Sequence, residues 1–239
     1  MQMISSIAEL EELVVYCPFS SVGLRSWLSI TGPFLKDLEL RMNTITPHQN
    51  LIEISSKLDC IGSAWNLESL KLWGVLMIDS PQWDVFLRLR NLEVVGARLK
   101  DTALSDALRA CPNLTHLLLL DCEGLKSLSI ELPHLEHCKL DFTGNGNCSL
   151  LLNSPKLESF EQLYMKVEFT GDFEELVPFL EIDFVDFFNS HPKLQTFDIH
   201  GAMFAALCQK NSLKNVDSRF SIPCLEKVVI TVRSPLNAE

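Results

Sequence analysis

Residues 111–122 read CPNLTHLLLLDC. A proline introduces Leu114, Leu117 follows three residues on, and Leu119 comes two after that. On an extended chain Leu117 and Leu119 point to the same face. One such strand says little, but this frame recurs. PFLKDLEL begins at Pro33, PHLEHCKL at Pro133, PKLESFEQ at Pro155, PKLQTFDI at Pro192 and PCLEKVVI at Pro223. Every copy has Pro-x-Leu, with an apolar residue or Cys three positions after the leucine. All but the Pro155 copy, which has Gln162, carry another apolar residue two further on. The same LxxLxL frame without the proline starts at Leu10, Leu67, Leu89 and Leu125.

The first leucines thus fall at 10, 35, 67, 89, 114, 125, 135, 157, 194 and 225. Most steps are 22–32 residues, two are 11 and 10, and one is 37. A recurring LxxLxL with a period in the twenties is the mark of leucine-rich repeats. Each copy buries one face and gains stability only by stacking on its neighbours, which predicts a parallel sheet and a continuous core. The first leucine fills the turn leading in, and proline suits that entry because it has no N–H to donate to a ladder and favours an extended predecessor. The expected fold is α/β: a leucine-rich-repeat solenoid of short parallel strands with irregular or helical outer segments, spanning 1–239. DTALSDALRAC supplies one such helix, with Leu104, Ala107, Leu108 and Cys111 on one face and Asp101 or Thr102 as N-cap. EIDFVDFFNSHP supplies another, with Phe184, Val185 and Phe188 on one face.

Composition narrows the function classes. The 239 residues suffice for a sizeable core, and 47% hydrophobic with 21% charged content suits a globular chain. A net charge of −11 argues against a nucleic-acid or anionic-membrane partner, and the densest basic cluster is Arg88-Leu-Arg90. MQMISSIAELEEL has neither a basic n-region nor a long apolar core, so it does not read as a signal peptide. No run of 18 apolar residues occurs. The eight cysteines form no CxxC pair, so they are expected to be reduced, buried core residues at an address in the cytoplasm or nucleus.

No P-loop, GxSxG or dinucleotide fingerprint is present, and the expectation is that the chain is not an enzyme and holds no cofactor. Gly144 and Gly146 in TGNGNC read as a turn. His134, His137 and Cys138 could form a metal trio, but strand alternation sets the two histidines on opposite faces, so no metal is expected. Glu11-Glu12, Glu174-Glu175 and the acidic residues of 181–186 read as solvated charges.

The repeats LESLKLWGV, LRACPNLTHLLLLDCEGLKSLSIELPHLEHCKLDF, LLNSPKLESF, HPKLQTFDIHG and IPCLEKVVI resemble the leucine-rich-repeat portion of plant F-box/leucine-rich-repeat proteins. The resemblance implies substrate recognition for an SCF-type ubiquitin ligase, in which an F-box docks on a Skp-type adaptor. These 239 residues show no F-box-like segment, so adaptor binding is expected only of a longer, F-box-bearing form. The frames Leu157-x-x-Phe160 and Phe160-x-x-Leu163-x-Met165 overlap, as though sequence between two repeats had been lost near 160–163. An irregular joint is therefore expected around 160–193, in a truncated or alternatively spliced relative. The Asn or Cys eight residues after the first leucine appears only as Asn43 and Cys122.

What remains is the open face of the sheet, formed by residues two, four and six after each first leucine. The last column reads Tyr16, Arg41, Trp73, Val95, Leu120, Glu131, Asp141, Lys166, His200 and Thr231. Trp73, Val95 and Leu120, with Leu118 beside them, form an apolar cluster about 4.8 Å apart per step, as a binding hot spot would. The candidate protein-binding residues are Trp73, Val95, Leu118, Leu120, Tyr16 and Tyr164. The expected partner is a protein target; the alternatives are a hormone-like small-molecule co-receptor or a repeat region uncoupled from any ligase.

Overall fold

The computed structural model describes residues 9–16, 19–42, 51–142, 149–165, 184–200 and 222–231. For 51–54, 149, 161–165, 184–186, 200 and 231 it describes the backbone alone. The chain is α/β, built on parallel strands with few helices, and divides into two compact units, Met1–Leu125 and Lys126–Glu239.

In the first unit the order is β1 (Glu12–Tyr16), α1 (Ser21–Thr31), β2 (Asp37–Arg41), α2 (Leu51–Cys60), β3 (Ser69–Trp73), β4 (Leu76–Met77), β5 (Asn91–Val95), β6 (Arg98–Leu99), α3 (Asp101–Arg109) and β7 (His116–Cys122). Strands β1, β2, β3, β5 and β7 pair in that order, all parallel. Their registers align equivalent frame positions: Leu38, Leu70, Leu92 and Leu117 are mutual neighbours, as are Leu40, Leu72, Val94 and Leu119. All eight are buried. The period-2 pattern is thus the physical cause of the sheet, because any one-residue slip would turn a whole apolar row to the other face.

The first leucines Leu35, Leu67, Leu89 and Leu114 are fully buried as well. The residue three before each of the last three is buried too: Ala64, Phe86 and Cys111. Leu67 N–H donates to the Ala64 carbonyl (3.2 Å) and Leu114 N–H to the Cys111 carbonyl (3.3 Å). These are β-turns, and Pro112 sits at the second turn position, where its fixed φ is favourable. The proline of Pro-x-Leu is therefore a turn residue, not the first residue of a strand. Beyond each turn, one carbonyl accepts two N–H groups: Lys36 O from Glu68 and Ser69, Glu68 O from Arg90 and Asn91, and Arg90 O from Thr115 and His116. Strands β3, β5 and β7 are launched by the same fork, which fixes the register of each on its predecessor.

Strands β3 and β5 end at Gly74 and Gly96, and the equivalent position in β7 is Asp121, with φ of 60°, 59° and 51°. This left-handed residue turns the chain so that Val75, Ala97 and Cys122 become buried in one column. The position eight residues after the first leucine is thus filled by Val and Ala as well as by Cys. Gly32 has a different reason. A Cβ there would overlap the carbonyl oxygens of Leu28 and Ser63. Gly32→Ala should destabilise the chain by about 1–3 kcal/mol through overpacking; an unchanged denaturant midpoint would show that these backbones yield freely.

Helix α3 begins one residue earlier than the sequence suggested. Lys100 is its N-cap, without a side-chain hydrogen bond, and Asp101 lies in the first turn, where a carboxylate favours the helix dipole. Ala103, Leu104, Ala107 and Leu108 are buried.

The second unit contains β8 (Ser127–Glu131), β9 (His137–Phe142), β10 (Ser149–Asn153), β11 (Ser159–Met165), α4 (Phe184–Ser190), β12 (Thr196–His200) and β13 (Lys227–Thr231). Strands β9, β11, β12 and β13 pair in that order, all parallel. Strand β8 pairs instead with β10 in a separate two-stranded sheet. The Leu125 frame is therefore no member of the main sheet, and Glu131 leaves the open-face column. The two short steps collapse into one step, from Leu114 to Leu135. Strand β8 precedes the Pro133 turn as α3 precedes the Pro112 turn, so it serves as the return segment.

Strand β11 matches β9 from Ser159↔His137 to Gln162↔Leu140, then shifts register, resuming at Tyr164↔Asp141. Its pairing with β12 covers Ser159–Glu161 alone. The bulge falls where the two sequence frames overlap; residues 166–183, the rest of that stretch, lie outside the described residues.

In α4 the buried side chains are Phe187 and Phe188. Phe184 and Val185, expected on one face with Phe188, have side chains that lie outside the described residues. Phe187 packs on Phe160 and Phe197 with ring centroids 6.1 and 5.8 Å apart. His191 is fully buried behind it. Its Nδ1–H donates to the Phe187 carbonyl (2.7 Å), and its Nε2 accepts from Ser154 N–H (3.3 Å). The Ser154 bond needs the neutral ring, because it requires a lone pair on Nε2, whereas the Phe187 bond suits either form. Burial lowers the His191 pKa from its ordinary 6.5, and the Phe187 bond offsets this in part. The unfolded chain therefore takes up this proton first as the pH falls. The contribution of His191 is fully present above about pH 6.5 and is lost as pH drops through that value towards the lower native pKa. The stability gap between the native chain and His191→Gln should shrink from pH 7.5 to pH 5; a constant gap would mean that folding does not shift the ring's pKa.

Candidate protein-binding face

The outward residues of the first unit's sheet fall into three rows. Cross-strand register places Tyr16, Arg41, Trp73, Val95 and Leu120 in one row, in that order. The next row runs Val14, Glu39, Lys71, Glu93 and Leu118, and the third Glu12, Asp37, Ser69, Asn91 and His116. Four of the six sequence-derived candidates, Trp73, Val95, Leu118 and Leu120, are therefore neighbours on adjacent strands, and each is half-buried. Tyr16 lies at the other end of the first row, 62% exposed. Tyr164 stands apart, on β11 beside the register shift, and its side chain lies outside the described residues.

Arg41 sits between Tyr16 and Trp73 in the first row. Its guanidinium carbon lies 4.9 Å from the Tyr16 ring centroid and 5.0 Å from that of Trp73. It is stacked between two aromatic rings on adjacent strands, each contact favourable through the negative ring face. Its Nε donates to the Glu39 carboxylate. The signal was present in the sequence: Tyr, Arg and Trp occupy the same frame position in three consecutive strands. The Trp73 indole N–H is buried without a hydrogen-bond partner among the described residues.

In the middle row Lys71 Nζ lies 3.7 Å from the Glu93 carboxylate. Glu39 and Glu93 are the less exposed members of the two pairs, and Arg41 and Lys71 the more exposed. Such half-exposed pairs contribute about 0–1 kcal/mol each, and they cancel charge locally. In the second unit the outward positions of β9 carry His137, Lys139 and Asp141, facing Glu161 in β11, which in turn faces Asp198 in β12. That face is polar where the first unit's is aromatic and aliphatic.

The other residues singled out in the sequence do not assemble. His134 lies in a turn and shares a 2.9 Å hydrogen bond with Lys156. His137 is on β9, and Cys138 is buried beneath it. No cluster of three metal-ligating side chains occurs among the described residues. Cys60, Cys111, Cys122 and Cys138 are free and buried, whereas Cys224 is free and exposed, contrary to the expectation for all eight. Cys17, Cys148 and Cys208 lie outside the described residues. Burial raises the thiol of Cys111 to about 12 and raises that of Cys138 further still, so neither is a ready nucleophile. No described helix is long and apolar enough to cross a membrane.

No protein-family model matches the chain. The chain is 52% identical to the F-box protein At1g10780 of Arabidopsis thaliana, in an alignment that covers all of this chain and 72% of that protein. The alignment is 302 residues long whereas the chain has 239, so the relative carries several dozen residues within the matched span that have no counterpart here. At that identity and coverage, the chain belongs to the plant F-box protein family.

Proposed function

We propose that this chain is the substrate-recognition region of an SCF-type ubiquitin ligase receptor, a leucine-rich-repeat solenoid that binds a protein target on its open sheet face. The observation that carries the reading is the row Tyr16–Arg41–Trp73–Val95–Leu120 with Leu118 beside it. Aromatic, arginine and aliphatic side chains there converge on a surface held rigid by five registered strands. Such anchors carry most of an interface's energy. Family membership supports a protein partner and an adaptor role in place of catalysis. Coupling to the Skp-type adaptor belongs to an F-box-bearing form, and the setting is the cytoplasm or nucleus.

The overlapping frames at Phe160, the register shift beside Tyr164 and the longer matched span of the relative together support an internal joint near 160–163. The binding face proposed here lies wholly in the first unit and does not depend on it.

Candidate targets come from proximity labelling with the F-box-bearing form. A photo-crosslinking residue at Tyr16 should then capture the target, and the same residue at Glu226 should not. Capture from Glu226 alone would move the contact off this face.

A further inference from the structure

The charge balance of the face selects the chemistry of its partner. Arg41 is neutralised by Glu39, and Lys71 by Glu93. What remains is the pair Glu12 and Asp37. They are direct cross-strand neighbours. Both are exposed. Neither carboxylate has an ion pair or a side-chain hydrogen bond among the described residues. Like charges placed opposite each other on adjacent strands repel. Nearby Lys36 does not relieve them, because its Nζ is bonded to Glu11 at 2.6 Å. The face therefore has an unbalanced acidic end and an aromatic–aliphatic end. The two are separated by up to four residues along the strands, about 13 Å, and by one to four strands across the sheet, about 5–19 Å.

Resting on the function proposed above, we infer that the target segment is basic and apolar: a large apolar side chain seats over Trp73, Val95, Leu118 and Leu120, and a Lys or Arg roughly 14–23 Å away, diagonally across the strands, seats on Glu12 and Asp37. The chain's net charge of −11 steers such a segment in. An acidic or phosphorylated segment would meet Glu12, Asp37, Glu39 and Glu93 with both cations of the face already engaged. Arg41 contributes through its unshared Nη edges, which reach main-chain carbonyls of the target without adding net charge.

The test is selection of a displayed random 16-residue peptide library on the purified 239-residue chain. It is run in parallel on the double variant Glu12→Gln/Asp37→Asn, on Trp73→Ala, and on Glu226→Gln/Asp84→Asn. The last has the same net charge as the first variant but alters acids elsewhere on the chain. The native chain should enrich Lys and Arg over Asp and Glu by at least about threefold together with aromatic or aliphatic residues. The basic enrichment should vanish in Glu12→Gln/Asp37→Asn while the apolar enrichment persists, and both should survive in Glu226→Gln/Asp84→Asn. A pool with no basic bias, an acidic pool, no selected pool at all, or basic enrichment that survives in Glu12→Gln/Asp37→Asn overturns the inference about the partner. An apolar enrichment that survives in Trp73→Ala overturns the binding face itself.

Discussion

Leu117→Ala should lower the stability of the chain by about 2–5 kcal/mol, while Leu118→Ala, one residue along, should cost under about 1.5 kcal/mol. Both remove the same atoms from the same strand, so the contrast isolates the direction of the side chain. Leu117 is fully buried and sits between Leu92 on β5 and Leu114 at its own turn, in a row of leucines continuous across the sheet. Its truncation leaves a cavity that registered strands cannot collapse to fill, because closing it in one strand would break the ladder on the other side. Leu118 faces outward beside Glu93 and Leu120 and is half-buried. Water can enter the space it leaves. Denaturant melts of the two variants give the comparison. Equal losses would mean that β7 is buried on both faces, and the surface assigned to binding would then be core.

The inward half of this architecture was legible because one residue type at one spacing fixes it. Leu38, Leu70, Leu92 and Leu117 could be aligned from sequence alone, and the registers place them side by side. What escaped was set by partners rather than by local pattern. LKSLSI at Leu125 has the same alternation as the main-sheet strands, and nothing in six residues says which sheet it joins. Its pairing with β10 is set by where β10 lies, which its own six residues do not encode. The proline was placed at the entry to each strand, and the hydrogen bond closing from Leu114 to Cys111 makes that entry a β-turn. Nothing in the sequence marks His191, yet it bridges α4 to the Ser154 turn from full burial. In the candidate face, Trp73, Val95, Leu118 and Leu120 were legible by column. The stacking of Arg41 was not, because a column gives neighbours but not the rotamers that lay one ring on each side of a guanidinium.

The central claim is that the first unit's open face binds a protein, and Trp73→Ala tests it most directly. Trp73 occupies the middle of its row, with Arg41 stacked on one side and Val95 on the other. Its half-buried ring gives a partner a large apolar surface at little entropic cost, since neighbouring side chains already hold it. Its buried indole N–H has no partner among the described residues, so truncation strands no hydrogen-bond acceptor among them. Removing it should weaken the target by at least about 2 kcal/mol, roughly thirtyfold in Kd. Lys227→Ala, in the other unit, should change affinity by less than about 1 kcal/mol. The measurement is titration calorimetry of a labelled target against the native chain and both variants, with thermal melts of each. A thirtyfold loss for Trp73→Ala with an unchanged melt, and no loss for Lys227→Ala, is the result this account predicts. Unaltered affinity for Trp73→Ala, or a collapsed melt showing the ring to be part of the core, would contradict it.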